Sequence, residues 1–229
     1  MNDLTIIYYS SNTISKHFLE NTKRQLLKAA GDIPIVSITH KPMDLGMNFC
    51  VGGLKRSTYN IYKQALLGAK IAKTKYVATA EDDILYSPGC FDYRPPTGEF
   101  GYNVNIQSLY TWTRPPIFST KNRRVFHSLI VERDKLIETL EERFKVHPDE
   151  NDYPLKFWSE PVKYDTHLGV KQQKSVQFKS EIPNIAFSHP EALGFAGLGT
   201  RKRLGDDRTH ELPYWGNASD ILKLYEKTK

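Results

Sequence analysis

Val77-Ala78-Thr79-Ala80-Glu81-Asp82-Asp83-Ile84-Leu85-Tyr86 carries the clearest structural signal in the sequence. An apolar run ends in three consecutive acids and then resumes, which predicts a buried strand over residues 76–80 with carboxylates at its C-terminal end. Open α/β sheets bind ligands at that edge. Because adjacent anions repel one another unless a cation or hydrogen-bond donors compensate them, we expect a hard divalent ion here, bridging to the phosphates of a ligand.

The three acids do not all point to the same side of an extended backbone. Glu81 and Asp83 lie two residues apart and share one side, whereas Asp82 faces the other way. We expect Asp83 to bind the ion directly, and Glu81 to bind it through water or to hold a ribose hydroxyl. A solvated turn is the competing interpretation, and the tight apolar flanks disfavour it.

The composition indicates one globular domain. The chain has 229 residues, of which 39% are hydrophobic and 25% charged, with a net charge of +6 that is compatible with a polyanionic partner. Cys50 and Cys90 are too few for a disulfide framework or a zinc cluster, so we expect a reducing cytoplasm. We expect neither a signal peptide nor a membrane span, because no apolar run approaches the ~20 residues that cross a bilayer.

Strand and helix patterns alternate along the chain. The predicted strands cover residues 4–9, 35–38, 76–80, 100–105, 106–113, 126–131 and 185–188. The predicted helices cover residues 15–30, 58–72, 134–145 and 219–227. Strand–helix–strand order favours parallel strands joined by right-handed crossovers. The predicted fold class is α/β, a single domain with a mostly parallel central sheet flanked by helices.

A basic loop precedes the second predicted helix. In Gly52-Gly53-Leu54-Lys55-Arg56-Ser57, the serine is placed to cap that helix. Helix N-termini favour anions, and Lys55 and Arg56 add positive charge. The loop matches neither a Walker loop nor a dinucleotide fingerprint, so those two sites are excluded.

Two further groups lie near the C-terminus. His189 follows a strand pattern and is either a surface or capping histidine or a metal ligand. Arg201 and Lys202 lie beside Gly197 and Gly199, either as a solvated loop or as a mobile lid that brings cations to a diphosphate.

In this order, the motifs resemble those of nucleotide-sugar glycosyltransferases with the GT-A fold, in particular small family-2-like enzymes of bacteria and phages. The likeness extends over most of the chain. The acid triplet is similar to the DxD-type motif, although Glu81 stands where the common motif has Asp. The other motifs that carry the resemblance are Ile6-Ile7-Tyr8-Tyr9, Arg56-Ser57, Tyr102-Asn103-x-Asn105, Trp158-x-Glu160-Pro161, Phe187-Ser188-His189-Pro190 and Gly199-Thr200-Arg201-Lys202-Arg203.

The resemblance implies a single GT-A-like domain, with a nucleotide-sugar-binding half over residues 1–105 and an acceptor-binding half with a C-terminal lid over 106–229. It implies Mn²⁺ or Mg²⁺ as cofactor and a UDP-sugar, with UDP-glucose expected, as donor. Asp83 and His189 are the implied metal ligands, and Asp83 is catalytic in that role. The residues expected around the donor are Tyr8, Ser10, Asn12, Lys55, Arg56, Glu81, Asp82, Asn103, Asn105, Arg201 and Lys202. Only one of Tyr8 and Tyr9 can stack on the base, because neighbours on a strand point to opposite faces.

An enzyme that inverts the sugar's configuration needs a base that reaches the acceptor hydroxyl, whereas a retaining enzyme needs none. Glu160 is the favoured candidate, because its apolar neighbours Trp158 and Pro161 would raise its pKa. The other candidates are Glu150, Asp152 and Asp165.

The expected acceptor is a hydroxymethylated pyrimidine in phage DNA. Basic residues alternate with aromatic residues over residues 110–126, a pattern that tracks a phosphate backbone and stacks on bases, although it also suits an ordinary hairpin. Three alternatives stay open: transfer to a bacterial surface glycan, nucleotidyl transfer, and non-catalytic binding of nucleic acid.

Overall fold

The computed structural model describes residues 2–120, 122–151, 160–192, 205 and 207–226. The helices are α1 (Lys16–Ala30), α2 (Thr58–Ile71), α3 (Arg133–Val146) and α4 (Ala218–Leu222). The strands of the first half are β1 (Leu4–Ser10), β2 (Ile35–Thr39), β3 (Met47–Cys50), β4 (Tyr76–Glu81) and β5 (Ile84–Leu85). The later strands are β6 (Glu99–Asn103), β7 (Ile106–Tyr110), β8 (Phe118–Thr120), β9 (Leu129–Glu132), β10 (Lys174–Phe178), β11 (Asn184–Ser188), β12 (Arg208–Thr209), β13 (Glu211–Leu212) and β14 (Gly216–Asn217).

The central sheet has seven strands in the order β10-β6-β9-β4-β1-β2-β3. Strands β3, β2, β1 and β4 run parallel, and β9 lies antiparallel between β4 and β6. In the register of the β1–β4 pair, Tyr9 lies opposite Glu81, so both strands end at the same edge. The predicted α/β class with a mostly parallel central sheet flanked by helices is confirmed.

Alternation along β1 sends side chains to both faces of this sheet. Ile7 and Tyr9 enter one core with residues of α2 and α3, and Leu4, Ile6 and Tyr8 enter the other with residues of α1. Helix α2 lies close to the sheet at Gly68, where a Cβ atom would clash with the side chain of Ile7. Both faces are therefore covered, as the continuous apolar run of β1 requires.

A second sheet extends the fold beyond what the sequence predicted. It has five strands in the order β12-β8-β7-β11-β5 and packs on α1 and α4 through a third apolar cluster that includes Phe18, Phe187 and Ile221. In this sheet β11 is parallel to β7 and antiparallel to β5. This pairing brings the end of β11 next to the residues that follow β4.

Several elements of the structure differ from the predictions. Residues 126–131 begin with a 3₁₀ turn, Phe126–Ser128, before β9. The last helix ends at Leu222, before the predicted limit of residue 227, which lies outside the described residues. Strand β3 was not predicted, because this exposed edge strand lacks the alternation that marks a half-buried strand. No helix among the described residues is both long enough and apolar enough to cross a membrane.

Candidate active site

A cleft opens where β1, β2 and β4 end, with about 570 Å³ of empty space that is partly open to solvent. It is lined by the loop after β1, the three acids at the end of β4, the start of α2, and the loop after β11. Parallel strands end at one edge of a sheet, so this position is where an α/β fold binds ligands. The cleft takes residues from both predicted halves of the chain.

Two of the three acids are held by β1. Tyr9 Oη donates to Glu81 Oε1 at 2.7 Å, and Ser10 Oγ donates to Asp82 Oδ2 at 2.5 Å. The backbone N–H of Glu81 donates to Tyr86 Oη at 2.9 Å. These contacts follow from alternation, because Tyr9 and Glu81 face one side of the sheet and Ser10 and Asp82 the other.

The three acids are crowded together at one partly buried edge. Burial, followed by the charge of Asp83, raises the pKa of Glu81 to about 8 and the pKa of Asp82 to about 6. Hydrogen bonds from Tyr9 and Ser10 act in the opposite direction and are outweighed. The raised pKa values show that burial and crowding disfavour the charged forms of these carboxyl groups, and a bound cation would favour the charged forms again.

Asp83 and His189 lie side by side, 106 residues apart in sequence. The backbone N–H of Phe187 donates to the Asp83 carbonyl at 3.0 Å, which continues the β5–β11 pairing and delivers His189 to the cleft. His189 Nε2 lies 3.3 Å from Asp83 Oδ2, and His189 Nδ1 lies 3.0 Å from Glu191 Oε2. Burial lowers the pKa of His189, but the hydrogen bonds and charges of Asp83 and Glu191 outweigh it and raise the pKa overall.

The spacing of this pair fits two neighbouring ligands of one divalent ion. An octahedral ion with bonds of ~2.1 Å has adjacent ligands about 3 Å apart, close to the 3.3 Å between Asp83 Oδ2 and His189 Nε2. Within the described residues, no group of three or more His, Cys, Asp or Glu side chains is arranged to hold a metal ion. Mg²⁺-like ions need few protein ligands, because substrate phosphates and water complete their shell. The two residues therefore fit such an ion.

One part of the cleft wall is cationic. Ser57 caps α2 as predicted, since its Oγ accepts from the N–H of Asn60 at 3.2 Å. Lys55 and Arg56 line the cleft just before this helix. Lys55 lies 3.8 Å from Glu150 and is largely exposed, while Arg56 donates to the main-chain oxygen of Glu191. The helix dipole and these two cations together favour an anion in the cleft that Asp83 and His189 also line.

The end of the cleft beyond the acids is polar and held by backbone contacts. Gln64 Nε2 donates to the carbonyls of Ile38 and Ser10 at 2.8 and 3.3 Å, which ties α2 to the ends of β1 and β2. His40 lines this end, and burial lowers its pKa. Asn12, with φ +53°, accepts the N–H of Lys41 at 2.9 Å and joins the loops after β1 and β2.

No protein-family model and no curated protein sequence matches the chain. Among solved structures, it is similar to a glycosyltransferase involved in the glycosylation of the major capsid of PBCV-1, with 8% identity, 86% of this chain and 96% of that chain covered, and a TM-score of 0.49. It is also similar to S. aureus TarS 1-349 in complex with UDP, with 13% identity, 83% and 62% of the two chains covered, and a TM-score of 0.45. A third is a nucleotidyl transferase from Methanothermobacter thermautotroptrophicus, with 11% identity, 62% and 76% covered, and a TM-score of 0.39. Similarity at this level carries no information about activity, so the proposed function rests on the residues of the cleft.

The structure does not bring all the predicted donor residues to the cleft. Tyr8 points into the core on the α1 side, and Tyr9 lines the cleft instead. Asn103 and Asn105 bond to Ser180 Oγ and to its carbonyl at 2.8 and 2.7 Å. They were predicted to line the sugar pocket, but they hold the connection between β10 and β11. Arg201 and Lys202 lie outside the described residues.

The structure places the candidate bases in different surroundings. Asp165 is wholly buried and paired with Arg143 at 2.6 Å, so it cannot reach an acceptor. Glu150 lies by the α2 N-terminus, 3.4 Å from Asn60 Nδ2, and Asp152 lies outside the described residues. Glu160 does not line the cleft, and its charge raises the pKa of Glu81 less than burial, Asp83 and Asp82 do.

Residues 110–126 do not form a base-stacking surface in the part that the structure describes. Tyr110, Phe118 and Phe126 are buried, and Trp112 is 43% exposed. Arg114 pairs with Glu226 at 2.9 Å. The alternation of basic and aromatic residues therefore reflects a hairpin with a buried face, which was the competing interpretation.

Sequence reasoning missed several groups at the cleft. Asn60 and Gln64 belong to the predicted helix α2, and His40 directly follows β2, but their positions gave no chemical signal. Glu191 lies two residues after His189, a spacing that could have marked it as a partner of the ring. Tyr225 lies in the segment that follows α4, residues 223–226, which we call the C-terminal segment. Its hydroxyl donates to Glu191, and no local pattern predicts that contact.

Proposed function

We propose that the protein is a metal-dependent glycosyltransferase that moves a sugar from a nucleoside diphosphate sugar to a hydroxyl group. One observation carries this proposal: a single cleft is lined by both the Asp83–His189 pair and the cationic start of α2. A diphosphate needs both, because an ion and fixed cations share its charge as it departs with the nucleoside.

Different residues of the cleft bind different parts of the donor in this proposal. Asp83 and His189 hold Mn²⁺ or Mg²⁺, which, when bound, stabilises the leaving diphosphate as a Lewis acid. Lys55, Arg56 and the first N–H groups of α2 bind its oxygens from the other side. Arg201 and Lys202 are proposed to add charge as a lid.

The nucleoside occupies the polar end of the cleft in this proposal. Tyr9 takes the role expected of Tyr8, with Ser10 and Asn12 holding the loop and Asp82 in place. Glu81 is available to a ribose hydroxyl. A UDP-sugar, with UDP-glucose as the first donor to test, remains part of the proposal.

Glu160 is proposed as the base that takes the proton of the acceptor hydroxyl. Its apolar neighbours in the sequence, Trp158 and Pro161, support this role. The proposed DNA acceptor now depends on the net charge of +6, because the aromatic residues of the 110–126 stretch are largely buried. A surface glycan is the alternative hydroxyl acceptor.

The test is release of free nucleoside diphosphate. The protein is incubated with UDP-glucose and other nucleotide sugars, with Mn²⁺ or with a chelator, and with hydroxymethylpyrimidine DNA or glycan acceptors. We expect UDP release that requires Mn²⁺ and is lost in Asp83→Asn. Release of pyrophosphate from a nucleoside triphosphate and a sugar phosphate, with no UDP release from any donor, would instead indicate nucleotidyl transfer and contradict the proposal.

A further inference from the structure

The His189 ring is held on the side away from Asp83. Its Nδ1 lies 3.0 Å from Glu191 Oε2, and the same carboxylate oxygen accepts the hydroxyl of Tyr225 at 2.9 Å. The ring itself is buried, with 1% of its side chain exposed. The chain of contacts runs Tyr225–Glu191–His189–Asp83, from the C-terminal segment to the acids.

The C-terminal segment is anchored where it can supply this tyrosine. Asn21 Nδ2 of α1 donates to the carbonyl of Leu224 at 2.9 Å. Phe18, also on α1, contacts both aromatic partners edge-on, with ring centroids 5.1 Å from Tyr225 and 5.7 Å from His189. Helix α1 therefore aligns the tyrosine and the histidine on one apolar support.

We infer that Glu191 and Tyr225 are positioning residues that orient His189 as a metal ligand, which makes the C-terminal segment part of the metal site. This inference rests on the proposed function. An imidazole that donates its Nδ1–H to a carboxylate keeps the Nε2 lone pair for a metal, and such outer partners fix the ring's direction and tautomer. The Tyr225 hydroxyl leaves Glu191 less free to turn away from the ring.

Glu191 also connects the two walls of the cleft. Its carboxylate contacts His189, and its main-chain oxygen accepts a hydrogen bond from Arg56. A side-chain substitution at this position removes the first contact and retains the second. The effect of Glu191→Ala on metal binding is therefore separable from an effect on the cationic wall.

The first test measures Mn²⁺ affinity by calorimetry in the presence of UDP. We expect Glu191→Ala to weaken Mn²⁺ binding by about 10- to 100-fold. Glu191→Gln keeps an acceptor for Nδ1–H and should lose less, and Tyr225→Phe should also lose less than the alanine variant. Glu226→Ala is the matched control, because Glu226 neighbours Tyr225 but pairs with Arg114 on the surface. If Glu191→Ala binds Mn²⁺ as tightly as the native protein, the inference is overturned.

The second test needs neither metal nor donor. Side-chain ¹⁵N NMR of His189, recorded at a pH where the ring is neutral, reports which nitrogen carries the proton. We expect Nδ1–H in the native protein and a shift towards Nε2–H in Glu191→Ala, because only Asp83 then remains to accept from the ring. An unchanged tautomer would overturn the inference. This result stands even if the native protein shows no Mn²⁺-dependent UDP binding, an outcome that would refute the proposed function separately.

Discussion

At the scale of residues, strand alternation decides which side chains meet the ligand. Tyr8 and Tyr9 are adjacent and chemically identical, yet one enters the core with α1 and the other bonds Glu81. The sequence predicts that they differ, because neighbours on a strand point to opposite faces. It does not predict which one faces the ligand, since both faces of the sheet are covered by helices.

The two tyrosines provide a matched pair of variants. We expect Tyr9→Phe to weaken UDP binding several-fold, because it removes the hydroxyl that holds Glu81 at the cleft. Tyr8→Phe should leave UDP binding unchanged, because Tyr8 does not line the cleft. Titration calorimetry with UDP and Mn²⁺ measures both. Equal losses in the two variants would show that the assignment of faces to ligand and core is wrong.

Glu160 offers a second test at this scale. We expect Glu160→Gln to reduce sugar transfer to the acceptor by at least about 100-fold, within the range that general bases contribute. UDP and Mn²⁺ binding should stay within about two-fold of the native values, because Glu160 does not line the cleft. Transfer at the native rate would remove Glu160 as the base and would leave the donor site unaffected.

At the scale of elements, the start of α2 has two roles. Ser57 caps the helix, and the same helix start lines the cleft beside Lys55 and Arg56. This element was predictable, because the serine, the glycines and the basic pair are contiguous in sequence. The partners of the loop, Glu191 and Glu150, come from distant segments and were not predictable.

Helix α1 supplies the control for a capping experiment. Ser15 and Ser57 each accept the N–H three residues later at 3.2 Å, but only Ser57 lines the cleft. We expect Ser15→Ala and Ser57→Ala each to cost about 1 kcal/mol in the free energy of unfolding. Only Ser57→Ala should also weaken UDP binding. Equal UDP affinities in the two variants would contradict an anion site at the start of α2.

The buried pair of Arg143 and Asp165 joins α3 to the segment that follows Glu160. Their side chains are fully buried and 2.6 Å apart, and Asp165 Oδ2 also accepts the N–H groups of Val162 and Gln173 at 2.8 and 3.0 Å. We expect Asp165→Ala to lower the free energy of unfolding by about 3–5 kcal/mol, because it leaves a buried charge uncompensated. Glu141→Gln breaks the surface pair with Lys70, which is about half exposed, and should cost less than about 1 kcal/mol. Denaturant unfolding of both variants checks this, and similar losses would contradict the structural role.

At the scale of the whole molecule, the parallel core of the sheet follows from local patterns and the rest does not. The buried runs of β1, β2 and β4 and the helices between them were predicted, and they place the acids at the ligand-binding edge. The second sheet, the antiparallel β9 and the exposed β3 depend on long-range pairing, which short apolar runs do not encode. The same long-range pairing of β5 with β11 brings His189 to Asp83. The resemblance implied their meeting, whereas residue patterns alone left His189 undecided.

The most direct test of the account is UDP binding with and without Mn²⁺ in the native protein and in Asp83→Asn. Calorimetry should show that Mn²⁺ tightens UDP binding by at least about 10-fold in the native protein, because the ion links Asp83 and His189 to the diphosphate. In Asp83→Asn, Mn²⁺ should have no such effect. Two results would contradict binding of a metal–diphosphate complex in this cleft. One is native UDP binding that is equally tight in Mn²⁺ and in chelator. The other is an equal effect of Mn²⁺ on UDP binding in the native protein and in Asp83→Asn.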